Sequence, residues 1–179
     1  MFLKCKWGKS IIKKETVNLK ELVENILDEF SPQILEKRIE ASLIFPTKEE
    51  DNFLSIDKEK IKEALSNLVD NAIKYNKEKG EIKIKGEKTR HPIEREKFIY
   101  RLTIEDTGIG LTEEELPKLF TQYFQRGKEA EKLYTTGRGI GLTITKNIIQ
   151  AHQGRIYAES EGRNKGARFV VELPINPQS

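Results

Sequence analysis

Asn67, Asp70, Asn71 and Lys74 recur at the spacing that brings side chains to one side of a helix. At about 100° per residue they gather on one arc, while Ile61, Leu65, Leu68, Val69, Ala72 and Ile73 fall on the other. Exposed helix faces are ordinarily dressed with Lys and Glu, so two carboxamides and a carboxylate one turn apart are a candidate site. Taken alone, such a stripe is more often a satisfied polar surface, and what shifts the balance is the order of the motifs downstream. Asp106-Thr107-Gly108-Ile109-Gly110 follows an alternating run; its glycines allow a turn and the close approach of something flat. Asp106 could there accept a hydrogen bond from an exocyclic amine, as adenine offers. Gly137-Arg138-Gly139-Ile140-Gly141 opens a helical pattern, where unpaired N–H groups and the helix dipole favour phosphate. Lys74 and Arg126 or Arg138 could add charge, each such bond being worth roughly 1.5–3 kcal/mol when partly buried. The side-chain oxygen of Asn71 could be the one protein ligand of a Mg²⁺ ion completed by water and phosphate oxygens.

The elements that must position these residues follow from the pattern. Asn18 and Glu21 read as a capping box for a helix with Leu19, Leu22, Val23, Ile26, Leu27 and Phe30 on its apolar stripe, weakened at Ser31-Pro32. Ile39, Ala41, Leu43 and Phe45 alternate as a half-buried strand closed by Pro46, and Phe53, Leu54 and Ile56 make a second. Asp57 is placed to cap the long helix. Lys79-Gly80 turns into EIKIKG, and FIYRLTIED follows as its hairpin partner. Thr112 and Glu115 suggest a capping box for a short helix ending near Phe120. Residues 121–136 lack a period and read as a mobile loop or lid. The helix LTITKNIIQAHQ is stopped by Gly154 as a C-cap, and RIYAES and GARFVVELP form a last hairpin. The expected fold class is α+β: a two-layer α/β sandwich, about three helices on one face of a mixed, mainly antiparallel sheet of about five strands. Strands and helices do not alternate, and no GxxxxGK[ST] occurs, which argues against a doubly wound nucleotide fold and a Walker loop.

Composition excludes more than it proposes. The single Cys5 rules out an internal disulfide and suits a reducing, cytoplasmic setting; no apolar run reaches the length of a membrane span, so no membrane contact is expected. The 32 basic and 29 acidic residues are interspersed, leaving no basic block to track nucleic acid. A charged fraction of 34%, rich in Lys and Glu, points to a thermophilic source or to a generic solvated surface.

From about Asn18 to Pro174 the chain resembles the ATP-binding catalytic domain of two-component sensor histidine kinases. NLVDNAIKY resembles that family's N box, DTGIG its first G box, LFTQYFQR with Phe120 and Phe124 its F box, TTGRGIGL its second G box, and GARFVVELP its last strand. The resemblance implies a Bergerat-type fold with ATP between the long helix and a flexible lid at about residues 121–138. It implies that Asn71 ligates Mg²⁺, that Asn67, Lys74 and Tyr75 face phosphate or ribose, and that Asp106 contacts the adenine amine. Arg126 and Arg138 would be lid cations near the γ-phosphate. Gly108, Gly110 and the stretch Thr136, Gly137, Arg138, Gly139, Ile140, Gly141 and Leu142 would shape the pocket. The catalytic set so implied is Asn67, Asn71, Lys74, Arg126 and Arg138. Residues 1–17 would be the trailing end of a dimerisation or linker region, 18–174 the catalytic domain, and 175–179 a tail.

One position separates kinase from hydrolase. Relatives of this fold that hydrolyse ATP carry a Glu one helical turn before the metal-binding Asn, as general base; here that position is Asn67, which cannot take a proton at neutral pH. Asp70 could orient Asn71 or be a surface carboxylate. The two histidines, His91 and His152, both lack the family's phosphoacceptor context. The expected activity is therefore transfer of the γ-phosphoryl from ATP to a histidine on a separate dimerisation and phosphotransfer domain, then on to a response regulator receiver domain, in a full-length homodimer. A regulatory nucleotide-binding module and an ATPase of the same fold are the alternatives.

Overall fold

The computed structural model describes residues 12–121 and 141–175. In chain order the elements are β1 (Glu15–Asn18), α1 (Leu19–Glu29), α2 (Ser31–Glu36), β2 (Glu40–Ile44), β3 (Phe53–Ile56), α3 (Lys58–Lys74), β4 (Glu81–Arg90), β5 (Phe98–Asp106), α4 (Gly141–Ala151), β6 (Arg155–Glu159) and β7 (Ala167–Ile175). β2, β4, β5, β7 and β6 form one five-stranded sheet in that spatial order. Only the β2–β4 pair is parallel; both predicted hairpins, β4–β5 and β6–β7, are antiparallel neighbours. The α+β expectation holds, with α3 packed between α1 and α4 and touching β5.

The apolar periods explain the layering. Leu19, Leu22, Val23 and Ile26 of α1 are buried, as is the whole predicted arc of α3. Ile82 and Ile84 of β4 with Tyr100, Leu102 and Ile104 of β5 meet them from the sheet in one continuous core. Each such side chain contributes about 1.5–3 kcal/mol by leaving water. The opposite face of the sheet carries charged side chains beside the buried Ile99 and Val170. Arg101 grips the buried Glu172 at 2.9 and 3.1 Å, and the more exposed Arg168 reaches Glu105 and Glu159 at 3.2–3.4 Å.

β3, the predicted short strand, pairs antiparallel with β1, a strand too short to show a period, in a separate two-stranded sheet. Three local expectations are revised. Glu21 does not complete a capping box, because its carboxylate accepts from the Asn18 side chain (3.2 Å) while Asn18 Oδ1 caps the Lys20 and Glu21 N–H groups. Thr112 and Glu115 do form a reciprocal box, at 3.0 and 3.3 Å, yet only a short turn over Leu116–Lys118 follows, since Pro117 has no N–H to extend a longer ladder. At the end of α4 the left-handed residue is Gln153 (φ 60), not Gly154. Gly154 donates to Ile149 O (2.9 Å) and Gln153 to Gln150 O (2.9 Å), the paired bonds of a Schellman motif. Glycine is needed at 154 because a Cβ would approach Glu172 O to 2.5 Å.

A candidate nucleotide site at one end of the sheet

Asp57 starts α3 by accepting the Lys60 N–H at 3.2 Å, so the helix register is fixed from its first turn. Four turns on, that register leaves Asn67, Asn71 and Lys74 half-buried on one side and Asp70 exposed. The Lys74 ammonium lies 5.6 Å from the centre of the Tyr75 ring. Tyr75 is the C-cap of the helix.

The end of β5 comes up against this C-terminus. Asp106 is 5% exposed, and its Oδ1 accepts the Gly108 N–H at 2.8 Å, a local turn of the kind Asp makes readily. Gly108 lies against the Tyr75 carbonyl so closely that a Cβ would collide with it, and the same carbonyl accepts the Ile109 N–H at 3.0 Å. Gly110 has φ +65 and also leaves no room for a Cβ, here against Gly162 O. The crowding at both glycines comes from the protein's own backbone, Tyr75 O at Gly108 and Gly162 O at Gly110.

Sequence reasoning missed the residues that hold this turn in place. Asn76, 6% exposed, donates to Glu81 O (3.0 Å) and accepts from Thr107 Oγ1 (3.2 Å), while Thr107 Oγ1 accepts the Glu81 N–H (2.8 Å). From the other side the β6–β7 connection braces the loop. Ser160 Oγ accepts the Leu111 N–H (2.9 Å), Asn164 N–H donates to Ile109 O (2.8 Å), and Arg163 pairs with Glu115 (2.7 Å) and donates to Gly110 O (3.4 Å). A buried-position Asn beside Tyr75 was the one available signal.

The third wall is the start of α4. Asn67 Nδ2 donates to Gly141 O at 3.4 Å, and the fully buried Thr145 donates to the same carbonyl at 2.9 Å. Leu142 is 8% exposed and belongs to the core. Phe120 is anchored edge-on against Phe169, ring centres 6.5 Å apart. Asn67, Asn71, Lys74, Tyr75, Asp106, Gly108, Gly110 and Gly141 thus come to one end of the molecule. Phe124, Arg126, Thr136, Gly137, Arg138, Gly139 and Ile140 lie outside the described residues.

The donor set fits the ligands the motifs suggest. Among the described residues no three His, Cys, Asp or Glu side chains gather into a metal cage. A single carboxamide oxygen at Asn71 suits Mg²⁺, which keeps several waters and takes the rest of its shell from phosphate. Asp106, a carboxylate buried at the floor beside crowded glycine backbone, suits an amine on a flat ring. Both histidines are hydrogen-bonded within the fold. His152 is 2% exposed, with Nε2 accepting the Asp57 N–H (3.0 Å) and Nδ1 facing Ile148 O (2.8 Å). His91 Nδ1 accepts the N–H groups of Ile93 (3.3 Å) and Glu94 (2.9 Å), organising the β4–β5 connection.

Comparison with known proteins bears on the family and the fold. Residues 56–177 match the family described as histidine kinase-, DNA gyrase B-, and HSP90-like ATPase. The sensor histidine kinase WalK of Bacillus subtilis is 30% identical over 166 residues, which cover 92% of this chain and 25% of WalK. Among solved structures, the nucleotide-free catalytic domain of the histidine kinase ThkA superposes with a TM-score of 0.74 at 28% identity, over 92% of this chain and 99% of that one. ThkA in complex with the response regulator protein TrrA gives 0.70 at 29% identity, over 93% and 43%. The curated relatives are longer: the chain spans between 9% and 40% of their lengths.

Proposed function

The chain belongs to the histidine kinase-, DNA gyrase B-, and HSP90-like ATPase family, and from that premise we propose that it binds ATP with Mg²⁺ and passes the γ-phosphoryl to a histidine on a separate dimerisation domain. The observation that carries this reading is the carboxamide of Asn67 one turn before Asn71, on the face of α3 that looks toward the start of α4. An amide at that place cannot deprotonate water, so hydrolysis lacks its base and the phosphoryl is kept for an external acceptor. The bound nucleotide supplies the phosphoryl group, and the metal neutralises its charge.

The chain's own residues bind and orient. Asp106 accepts from the adenine amine, with Gly108 and Gly110 bringing backbone up to the ring. Asn71 ligates the metal, and Lys74 and Asn67 face the phosphate or ribose together with Tyr75. Arg126 and Arg138 add positive charge at the γ end. The acceptor comes from outside, because His152 is committed to Asp57 and Ile148 and His91 to a loop. The partners are the histidine-bearing dimerisation domain of the same kinase and a response regulator receiver domain, in a cytoplasmic setting.

Incubation with Mg²⁺ and γ-labelled ATP, with and without the dimerisation domain, tests the reading. Acid-labile label on the added domain alone is the expected result. Free phosphate without label would instead identify an ATPase, and bound nucleotide with neither product a regulatory module.

A further inference from the structure

We propose that Lys37 is a positioning residue for the adenine end of the pocket, acting through the C-terminal turn of α3; the inference rests on the nucleotide reading above. Lys37 closes α2, and the next residue, Arg38, takes a left-handed backbone (φ 55) that sends the chain into β2. From this fixed place the ammonium reaches across to α3. It donates to Ile73 O at 2.9 Å, Lys74 O at 2.8 Å and Asn76 O at 3.3 Å. Ile73 O also accepts the Asn76 N–H at 3.2 Å, and the cation adds to these terminal carbonyls and meets the negative end of the dipole. The main chain makes a second link, since Lys37 O accepts the Lys79 N–H at 2.9 Å.

The carbonyls that Lys37 holds bracket Tyr75, and Tyr75 is where the Asp106 loop docks. Tyr75 O accepts the Ile109 N–H, and a Cβ on Gly108 would collide with that carbonyl. Asn76 takes the next residue along, through Thr107 Oγ1. The Gly108 N–H in turn holds the Asp106 carboxylate at 2.8 Å. Four residues, Asp106 to Ile109, therefore take their position from one turn of helix, and the close contact at Gly108 leaves no slack for that turn to shift. The exposed ion pair of the neighbouring Arg38 with Glu78, 3.3 Å apart and 66% exposed on both sides, touches none of this.

A cap that only stabilised α3 would lower the melting temperature and leave ligand affinity alone. Lys37→Met removes the ammonium and keeps the apolar stem; Lys37→Arg restores the charge and donors. The measurement is the Kd of ATP with Mg²⁺, and separately of inorganic triphosphate with Mg²⁺ as a probe of the phosphate end alone. Both are taken by calorimetry on the full chain at a temperature where circular dichroism shows the variant folded. The expected result is a roughly tenfold weaker ATP Kd in Lys37→Met, about 1.4 kcal/mol of binding free energy. Triphosphate binding weakens less than ATP binding, through Lys74, whose carbonyl Lys37 also holds, and most of the ATP affinity returns in Lys37→Arg. Transfer assays should show the same split, with KM for ATP raised and kcat retained. Unchanged ATP affinity in the folded variant would overturn the proposal, as would equal weakening of ATP and triphosphate. Should Lys37→Met fail to fold, Lys37→Gln, which keeps one donor to the carbonyls, must show the same selective loss in smaller degree. A wild-type chain that binds no ATP would overturn the nucleotide reading itself, a distinct failure.

Discussion

At position 67 a carboxamide and a carboxylate would lead to different chemistry from the same helix face. Asn67→Glu places a base one turn before Asn71, and positioned general bases contribute roughly 10²–10⁴-fold. We expect acceptor-free phosphate release to rise at least tenfold over the wild type by that principle; a colorimetric phosphate assay without the dimerisation domain checks it. A second residue-scale prediction concerns Asp57. Burial opposes its ionisation, but the Lys13 and Lys60 N–H groups that donate to it, and the Lys60 charge, hold its carboxyl below the usual range. A carboxylate with a depressed folded pKa stabilises the fold above its unfolded pKa, and that contribution is lost as pH falls through the folded value. Asp57→Asn keeps a cap yet loses this term. The variant should therefore be less stable than the wild type at pH 7, and the gap should close on acidification below about pH 4. Urea denaturation at both pH values would reveal a constant gap if the carboxylate charge were irrelevant.

Single elements carry their own strain and their own anchors. α2 ends in a Schellman motif, with Arg38 N–H donating to Leu35 O and Ile39 N–H to Ile34 O, both 3.0 Å. The left-handed residue is an arginine, a conformation that glycine takes without a steric penalty. Its ion pair with Glu78 is well exposed and is worth little. Arg38→Gly should consequently stabilise the domain by up to about 1 kcal/mol, seen as a higher urea midpoint at unchanged slope. α3 behaves differently, because distant groups hold its ends: the Lys13 N–H on the Asp57 cap at the start, Lys37 at the finish. One strip of this helix serves the core and the other the site. Leu68→Ala, at a fully buried position directly beside Asn67, is expected to cost about 2–5 kcal/mol and to be visible in thermal melts.

Across the whole molecule the sheet order sets where stability resides. β5 lies at the centre, paired with β4 on one side and β7 on the other, whereas β2 and β6 are edges. Amide exchange should be slowest at Tyr100, Leu102 and Ile104, which are at most 2% exposed, and fastest among the paired strands at β2 and β6. Equal protection along all five strands would contradict that ranking. The sequence by itself determined the amphipathic face of α3, the cap at Asp57, both hairpins, and the placing of Asn67, Asn71, Lys74, Asp106, Gly108 and Gly110 at turns and helix faces. Periodicity, capping and glycine spacing are local, so they are written within a few residues of one another. Tertiary structure alone decided what lies far apart in the chain. His152 accepts an N–H from Asp57, 95 residues away. β3 paired with β1, Asn76 locked Thr107, and Lys37 reached the end of α3 across 36 to 39 residues. A lysine or an asparagine carries no mark of a partner that only folding brings within 3 Å, because the bond depends on where two elements cross and not on the residues beside it.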